Sequence, residues 1–239
     1  MLHFLQRFLT RARLTSTRCG VCGVLTDENG GLCATCAEQL SPRTGGYCPR
    51  CGEIYGDEDE PPSPCGQCRT SPPPWEALRF HGPYAGLLRD LILDYKFRGG
   101  LHHSKLLADM ASAAYPDVPD AAPDLIVPVP LHRKRLLWRG FNQSAELSRI
   151  LSRRLDRPVE THALTRIRNT RPQTTLGLSE RKENIKKAFA AAPERIKGRR
   201  VLLVDDVYTT GATLRECAET LRRAGAAGVE ILVLARAMG

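Results

Sequence analysis

The chain has 239 residues, 42% of them apolar, enough for one large domain or for a core domain with a small appendage. Its formal charge of +9 is spread unevenly: residues 132–200 hold 19 Lys and Arg against 6 Asp and Glu, whereas the first 74 hold 7 against 8. A basic segment within a compact domain points to phosphates, on a small molecule or on a nucleic acid. No apolar run is long enough to cross a bilayer, and the start, MLHFLQRFLTRARL, is broken by Arg7, Arg11 and Arg13 without an apolar export core. With its reduced thiols, the chain is expected in the cytoplasm.

Residues 1–14 place Leu2, Leu5, Phe8 and Leu9 on one side of a short amphipathic helix, suited to docking on its own domain, on a partner or on a membrane surface. Next come eight of the nine cysteines, in four C-x-x-C pairs: Cys19/Cys22, Cys33/Cys36, Cys48/Cys51 and Cys65/Cys68. Each pair is a knuckle that offers two thiolates to one metal, and two knuckles complete a tetrahedral site. We expect two structural zinc sites, Cys19/Cys22/Cys33/Cys36 and Cys48/Cys51/Cys65/Cys68, with interleaved pairing as the alternative and redox use of one pair as the competing chemistry. Four thiolates leave no open position for catalysis, and so small a region would draw much of its folding energy from the metal. The acidic insert GDEDEPPSP reads as a solvated excursion, and SPPPW (Ser71 to Trp75) as a stiff linker. The domain boundary is placed there, giving 1–74 and 75–239.

Beyond it, the pattern predicts a short strand and a helix from about Tyr84 to Tyr95, with Leu87, Leu88, Leu91 and Ile92 inward. Lys96 and Arg98 stand near the helix end, either to reach a phosphate or simply because helix C-termini favour cations. His102 and His103 have no partner spacing that makes a metal site. Residues 104–115 continue as helix. Leu125 to Val129 is a buried strand, followed by a basic loop (His132, Arg133, Lys134, Arg135, Arg139) and a helix with Leu147, Ile150, Leu151 and Leu155 inward. A cationic loop between strand and helix is an anion site of the kind found at the carboxyl edge of α/β sheets. Residues 165–183 are polar and basic, without apolar periodicity.

The most informative stretch is VLLVDDVYTTGAT, Val201 to Thr213. A buried strand, Val201 to Val204, runs into Asp205 and Asp206. A turn with Thr209, Thr210, Gly211 and Thr213 follows, and from Ala212 a helix keeps Leu214, Cys217, Ala218 and Leu221 on one face until Gly225. Unpartnered N–H groups at the helix start, a glycine permitting close approach and threonine hydroxyls would hold a phosphate. The acidic pair repels that phosphate, so its partners are ribose hydroxyls or magnesium. Val229 to Leu234 supplies a last apolar strand, and the strand–helix alternation gives an α/β fold with a mainly parallel sheet and helices on both faces.

This loop resembles the 5-phosphoribosyl-1-pyrophosphate (PRPP) loop of type I phosphoribosyltransferases. Together with VPVPLH, RGFNQS, RNTRPQTTLGLSERKENIKKAF and the cysteine knuckles, it resembles the ComF family over most of the chain, from Cys19 to about Leu234. The resemblance implies a phosphoribosyltransferase-like domain behind a double zinc ribbon. In it Asp205 and Asp206 would meet the ribose hydroxyls, and Thr209, Thr210, Gly211, Ala212 and Thr213 would hold the 5′-phosphate. Arg133, Arg135 and Arg139 would hold pyrophosphate, with magnesium bridging ligand oxygens. Asp205, Asp206 and Arg139 are the candidate catalytic residues. Residues 165–183 would form the loop that closes over PRPP, bringing in Arg168, Arg171 and Gln173. The resemblance also implies a part in natural competence, with incoming single-stranded DNA and a helicase as partners. No segment identifies the phosphoribosyl acceptor.

Overall fold

The computed structural model describes residues 17–26, 31–115, 122–170 and 183–238. The expected helix over 1–14, Arg171 and Gln173 lie outside the described residues.

A parallel sheet forms the centre. Its strands are β3 (Ala77–Pro83), β4 (Leu125–Pro128), β7 (Arg200–Val204), β8 (Val207–Tyr208) and β9 (Gly228–Arg236), in the order β3-β9-β7-β4 with β8 also on β9. β9 pairs with β3, β7 and β8, so both its edges are covered and it reads as a nearly continuous apolar run. Val127 lies beside Leu203, and Leu202 beside Glu230.

The two-residue period of the strands divides the core. Val201, Leu203, Val229, Ile231 and Val233 point to one face, where α8 (Ala212–Arg223) packs Leu214, Cys217, Ala218 and Leu221. Leu202, Val204, Leu232 and Leu234 point to the other, against α3 (Gly86–Phe97), α4 (Ser104–Ala113) and α6 (Gln143–Leu155). Each fully buried Leu or Ile contributes roughly 1.5–3 kcal/mol. The expected helices on both faces are therefore present, and Cys217 is a packing residue of the first face.

The other described elements are peripheral: β1 (Thr17–Arg18) with β2 (Leu25–Thr26), α1 (Ala34–Gln39), α2 (Gly66–Thr70), α5 (Arg133–Arg139), the antiparallel pair β5 (Leu164–Arg166) and β6 (Phe189–Ala191), and α7 (Pro193–Ile196).

Three expectations need correction. The helix expected from Tyr84 starts two residues later, because Ala85 is extended at φ −147°, ψ 169°. The basic loop is the helix α5: the His132 ring accepts from Lys134 N, and Gly140 ends the helix in the left-handed region at φ 84°. Its apolar residues escaped the periodicity because none is buried. The proline stretch, finally, does not end in a free spacer. Trp75 is 2% exposed, donates Nε1–H to Arg50 O at 2.6 Å and meets Tyr208 edge-on.

The ribbon segment is sewn to the sheet by further bonds, Leu78 N to Pro49 O at 2.8 Å and Arg236 Nε to Cys51 O at 3.2 Å. The acidic insert is exposed, as expected, and folds back onto Gly45 and Gly46. A Cβ on Gly45 would lie 2.2 Å from Glu60 O, so this close approach needs glycine.

Candidate functional site

The eight ribbon cysteines form two groups, Cys19/Cys22/Cys33/Cys36 and Cys48/Cys51/Cys65/Cys68, with ligand atoms within 4.8 Å of one another in each. The pairing is thus sequential, not interleaved. Cys22 Sγ lies 3.7 Å from Cys33 Sγ, and Cys51 Sγ 3.7 Å from Cys65 Sγ, so each group brings sulfurs into one small volume. Burial works against ionisation at Cys19, but backbone N–H groups of Cys22, Cys33 and Val21 outweigh it and bring the thiol down to about 6. Burial and the neighbouring thiols push Cys36 up to about 12. Such a group cannot become four thiolates without a central cation, and a tetrahedral zinc ion supplies that charge.

The second site lies at the carboxyl end of the parallel sheet, in a cavity of about 610 Å³. β7 and β8 lie along the same edge of β9, and the break between them is Asp205–Asp206. Asp205 N donates to Leu232 O, and Asp206 O accepts from Leu234 N, both at 3.0 Å. The sheet thereby holds the acidic pair rigidly.

Asp206 is 4% exposed and fully engaged. Lys96 Nζ stands 2.8 Å from its Oδ1, and Gln143 Nε2 donates to its Oδ2 at 2.8 Å. Gln143 Oε1 in turn accepts from Arg139 Nη1 at 2.8 Å, and Arg139 lies 5.0 Å over the Phe97 ring. Asp205 is half-buried and accepts from Ser144 Oγ at 2.9 Å. Its burial and the adjacent Asp206 charge raise its pKa to about 7, against the opposing pull of Lys96, Ser144 and the Asp206 N–H. Asn142 positions the two α6 donors: its side chain accepts from Ser144 N and donates to Val129 O.

On the other wall Gly211, at φ 73°, opens α8 without a side-chain cap, leaving the first helical N–H groups toward the cavity. A Cβ on Gly211 would lie 2.3 Å from the Tyr208 hydroxyl, so glycine is required both by φ and by space. Tyr208 is itself held by the Arg236 guanidinium 4.5 Å over its ring.

Of the residues expected at the site, Thr209, Gly211, Ala212, Thr213, Arg135, Arg139, Asp205 and Asp206 line the cavity, whereas Thr210 does not. Arg133 is exposed and does not line it. Arg168 is exposed and donates to Lys186 O, outside the cavity lining. Arg98 likewise faces solvent.

Sequence reasoning missed Gln143, Ser144, Tyr208 and Arg166. Arg166 is buried at the end of β5, and burial lowers its pKa to about 10 while leaving it charged at neutral pH. Chain distance hid Gln143 and Ser144, which stand 63 and 61 residues from the carboxylates they meet. Among the described residues, Thr210 Oγ1, Arg139 Nε and Arg166 Nε are buried without a hydrogen-bond partner. Arg139 and Arg166 line the cavity and Thr210 directly precedes the open helix start, and idle donors of this kind fit an anion better than any internal partner.

Comparison with known proteins agrees with this anatomy. Residues 12–69 match the double zinc ribbon domain family, and residues 142–239 the phosphoribosyl transferase domain family. Competence protein F of Haemophilus influenzae is 35% identical over 230 residues, covering 92% of this chain and 97% of its own. DNA utilization protein YhgH of Escherichia coli is 37% identical, covering 87% of this chain and 91% of its own. Competence protein ComFC of Bacillus subtilis is 31% identical, covering 86% and 84%. The chain therefore belongs to the family of competence protein F, ComFC and YhgH, with a double zinc ribbon ahead of a phosphoribosyltransferase-type domain.

Proposed function

We propose that the carboxyl-edge site binds PRPP with magnesium and supports phosphoribosyl transfer, in a protein that serves natural competence and DNA uptake. The observation that carries this reading is the meeting of a sheet-anchored acidic pair with an uncapped helix start and idle cationic donors around one cavity.

The 5′-phosphate would take the N–H groups from Thr209 to Thr213 and the Thr210 hydroxyl, which lacks a partner. Asp205, half-buried and facing the cavity, would accept from a ribose hydroxyl, while Asp206 stays on Lys96 and Gln143 and holds that frame. Arg135, Arg139 and Arg166 would neutralise pyrophosphate as it leaves. Magnesium, held by ligand oxygens with Asp205, would supply further charge neutralisation. Lys96 already covers one carboxylate of the pair, so the protein asks little of that ion at Asp206.

A second reading, an adaptor that binds single-stranded nucleic acid or a helicase without transfer, is favoured by one feature. Trp138 and Leu137 are each 75% exposed and Phe97 is 56% exposed, and both aromatic rings line the cavity mouth. Aromatic faces of this kind stack bases.

Calorimetry with PRPP and magnesium, on the wild type and on the Asp205→Asn/Asp206→Asn variant, tests the first reading. Micromolar binding, about −8 kcal/mol, is expected for the wild type and none for a variant of unchanged circular dichroism. A zinc-loaded wild type that binds no PRPP sinks it. Steeply salt-dependent binding to an oligonucleotide, lost in Trp138→Ala, would then sustain the second.

A further inference from the structure

The sequence offered His102 and His103 no metal partner, yet the fold supplies one. α3 ends at Phe97, and the chain reverses through Gly99 and Gly100 into a 3-10 turn, Leu101–His103. Arg98 N and Gly100 N both donate to Asp94 O, at 2.9 and 3.2 Å, which folds the turn back on the helix. A Cβ at Gly100 would sit 2.4 Å from Asp94 Oδ2, so the absence of a side chain there lets the carboxylate lie against the turn. Asp94 Oδ2 is then 3.4 Å from His103 Nε2, and the His102 ring lies 3.8 Å from the His103 ring, centroid to centroid.

We infer that Asp94, His102 and His103 form a third metal site, separate from the ribbons, which takes a divalent transition ion such as Zn²⁺, Ni²⁺ or Co²⁺. Their ligand atoms all lie within 4.8 Å of one another. Two imidazoles and one carboxylate suit these ions, whereas Mg²⁺ and Ca²⁺ prefer all-oxygen sets. His103 is buried and His102 exposed, so the site is anchored on one side and open to solvent on the other. Three protein donors leave a coordination position for water.

The ion would tie the 3-10 turn to the last turn of α3, the helix end that carries Lys96 and Phe97 into the cavity. None of the three ligands lines that cavity, and the inference does not rest on the phosphoribosyl reading.

The test is a Co²⁺ titration of untagged protein brought to two zincs per chain, followed by visible absorption and by metal counting after gel filtration. One cobalt per chain beyond two zincs is expected, without a thiolate charge-transfer band. His102→Ala, at an exposed position where the fold should survive, and Asp94→Asn should each weaken binding at least about tenfold while leaving zinc content and circular dichroism unchanged. No third ion would overturn the inference. So would a thiolate band, which places the cobalt in the ribbons, or unchanged affinity in either variant.

Discussion

The Lys96–Asp206 pair is the feature of the site whose energetics can be worked most fully. Its members lie on α3 and after β7, 2.8 Å apart, with side chains 16% and 6% exposed. At an effective dielectric of 20, unit charges at that distance attract by about 6 kcal/mol, an upper bound before desolvation is charged against it. Lys96→Met keeps the aliphatic stem and removes the charge, leaving Gln143 as the side-chain donor to Asp206 among the described residues. Breaking one side of a buried pair costs about 3–5 kcal/mol, and the surviving Gln143 bond and partial exposure of Lys96 put this case near 3. For a chain of this size that is a fall in melting temperature of about 6–12 °C. The assay is urea and thermal unfolding of Lys96→Met, Asp206→Asn and the double variant. Asp206→Asn removes the stranded charge, so Lys96→Met should cost less than about 1 kcal/mol in that background, a coupling of about 2 kcal/mol. A single variant as stable as wild type, or strictly additive losses, would refute the view that Lys96 is the counter-charge of the acidic pair.

Two further outcomes follow from the same geometry. Gly211→Ala places a methyl 2.3 Å from the pinned Tyr208 hydroxyl at φ 73°, and should destabilise the chain by about 3 kcal/mol and abolish PRPP binding in calorimetry. Asp205 has a folded pKa raised from 3.8 to about 7, so its favourable contribution to stability is complete below 3.8 and is lost as pH rises through about 7. Unfolding free energy measured against pH should show that loss in the wild type and not in Asp205→Asn. PRPP affinity should run the opposite way, rising as Asp205 ionises, and a pH-independent affinity between 5.5 and 8, roughly one and a half units below and one above that pKa, would contradict its proposed role.

The legible parts of the site were those written locally. The strand Val201 to Val204, the acidic pair and the helix from Ala212 follow one another without interruption, so periodicity, a glycine and the helix start were enough to place them. The cysteine knuckles were equally local. The basic stretch was misread as a loop because α5 buries no residue, and burial is what writes periodicity into a sequence. Arg168 was expected at the site where Arg166, two residues earlier, is the buried cation. In a strand a shift of two keeps the same face, but Arg168 lies beyond the end of β5.

By itself, then, the sequence determined the alternation of strand and helix, two groups of four cysteines, and a loop able to hold a phosphate beside two carboxylates. These follow from neighbours along the chain, whose spacing is set by 3.6-residue and 2-residue repeats. Only the tertiary structure decided which charge answers which. Lys96, Gln143 and Ser144 come from two helices packed on the same face of the sheet, and they reach Asp205 and Asp206 only because β7 ends beside those helices. Asp94 meets His102 and His103 only because the chain folds back at Gly100. Contacts across such distances depend on how layers stack, and no repeat along a single chain records that.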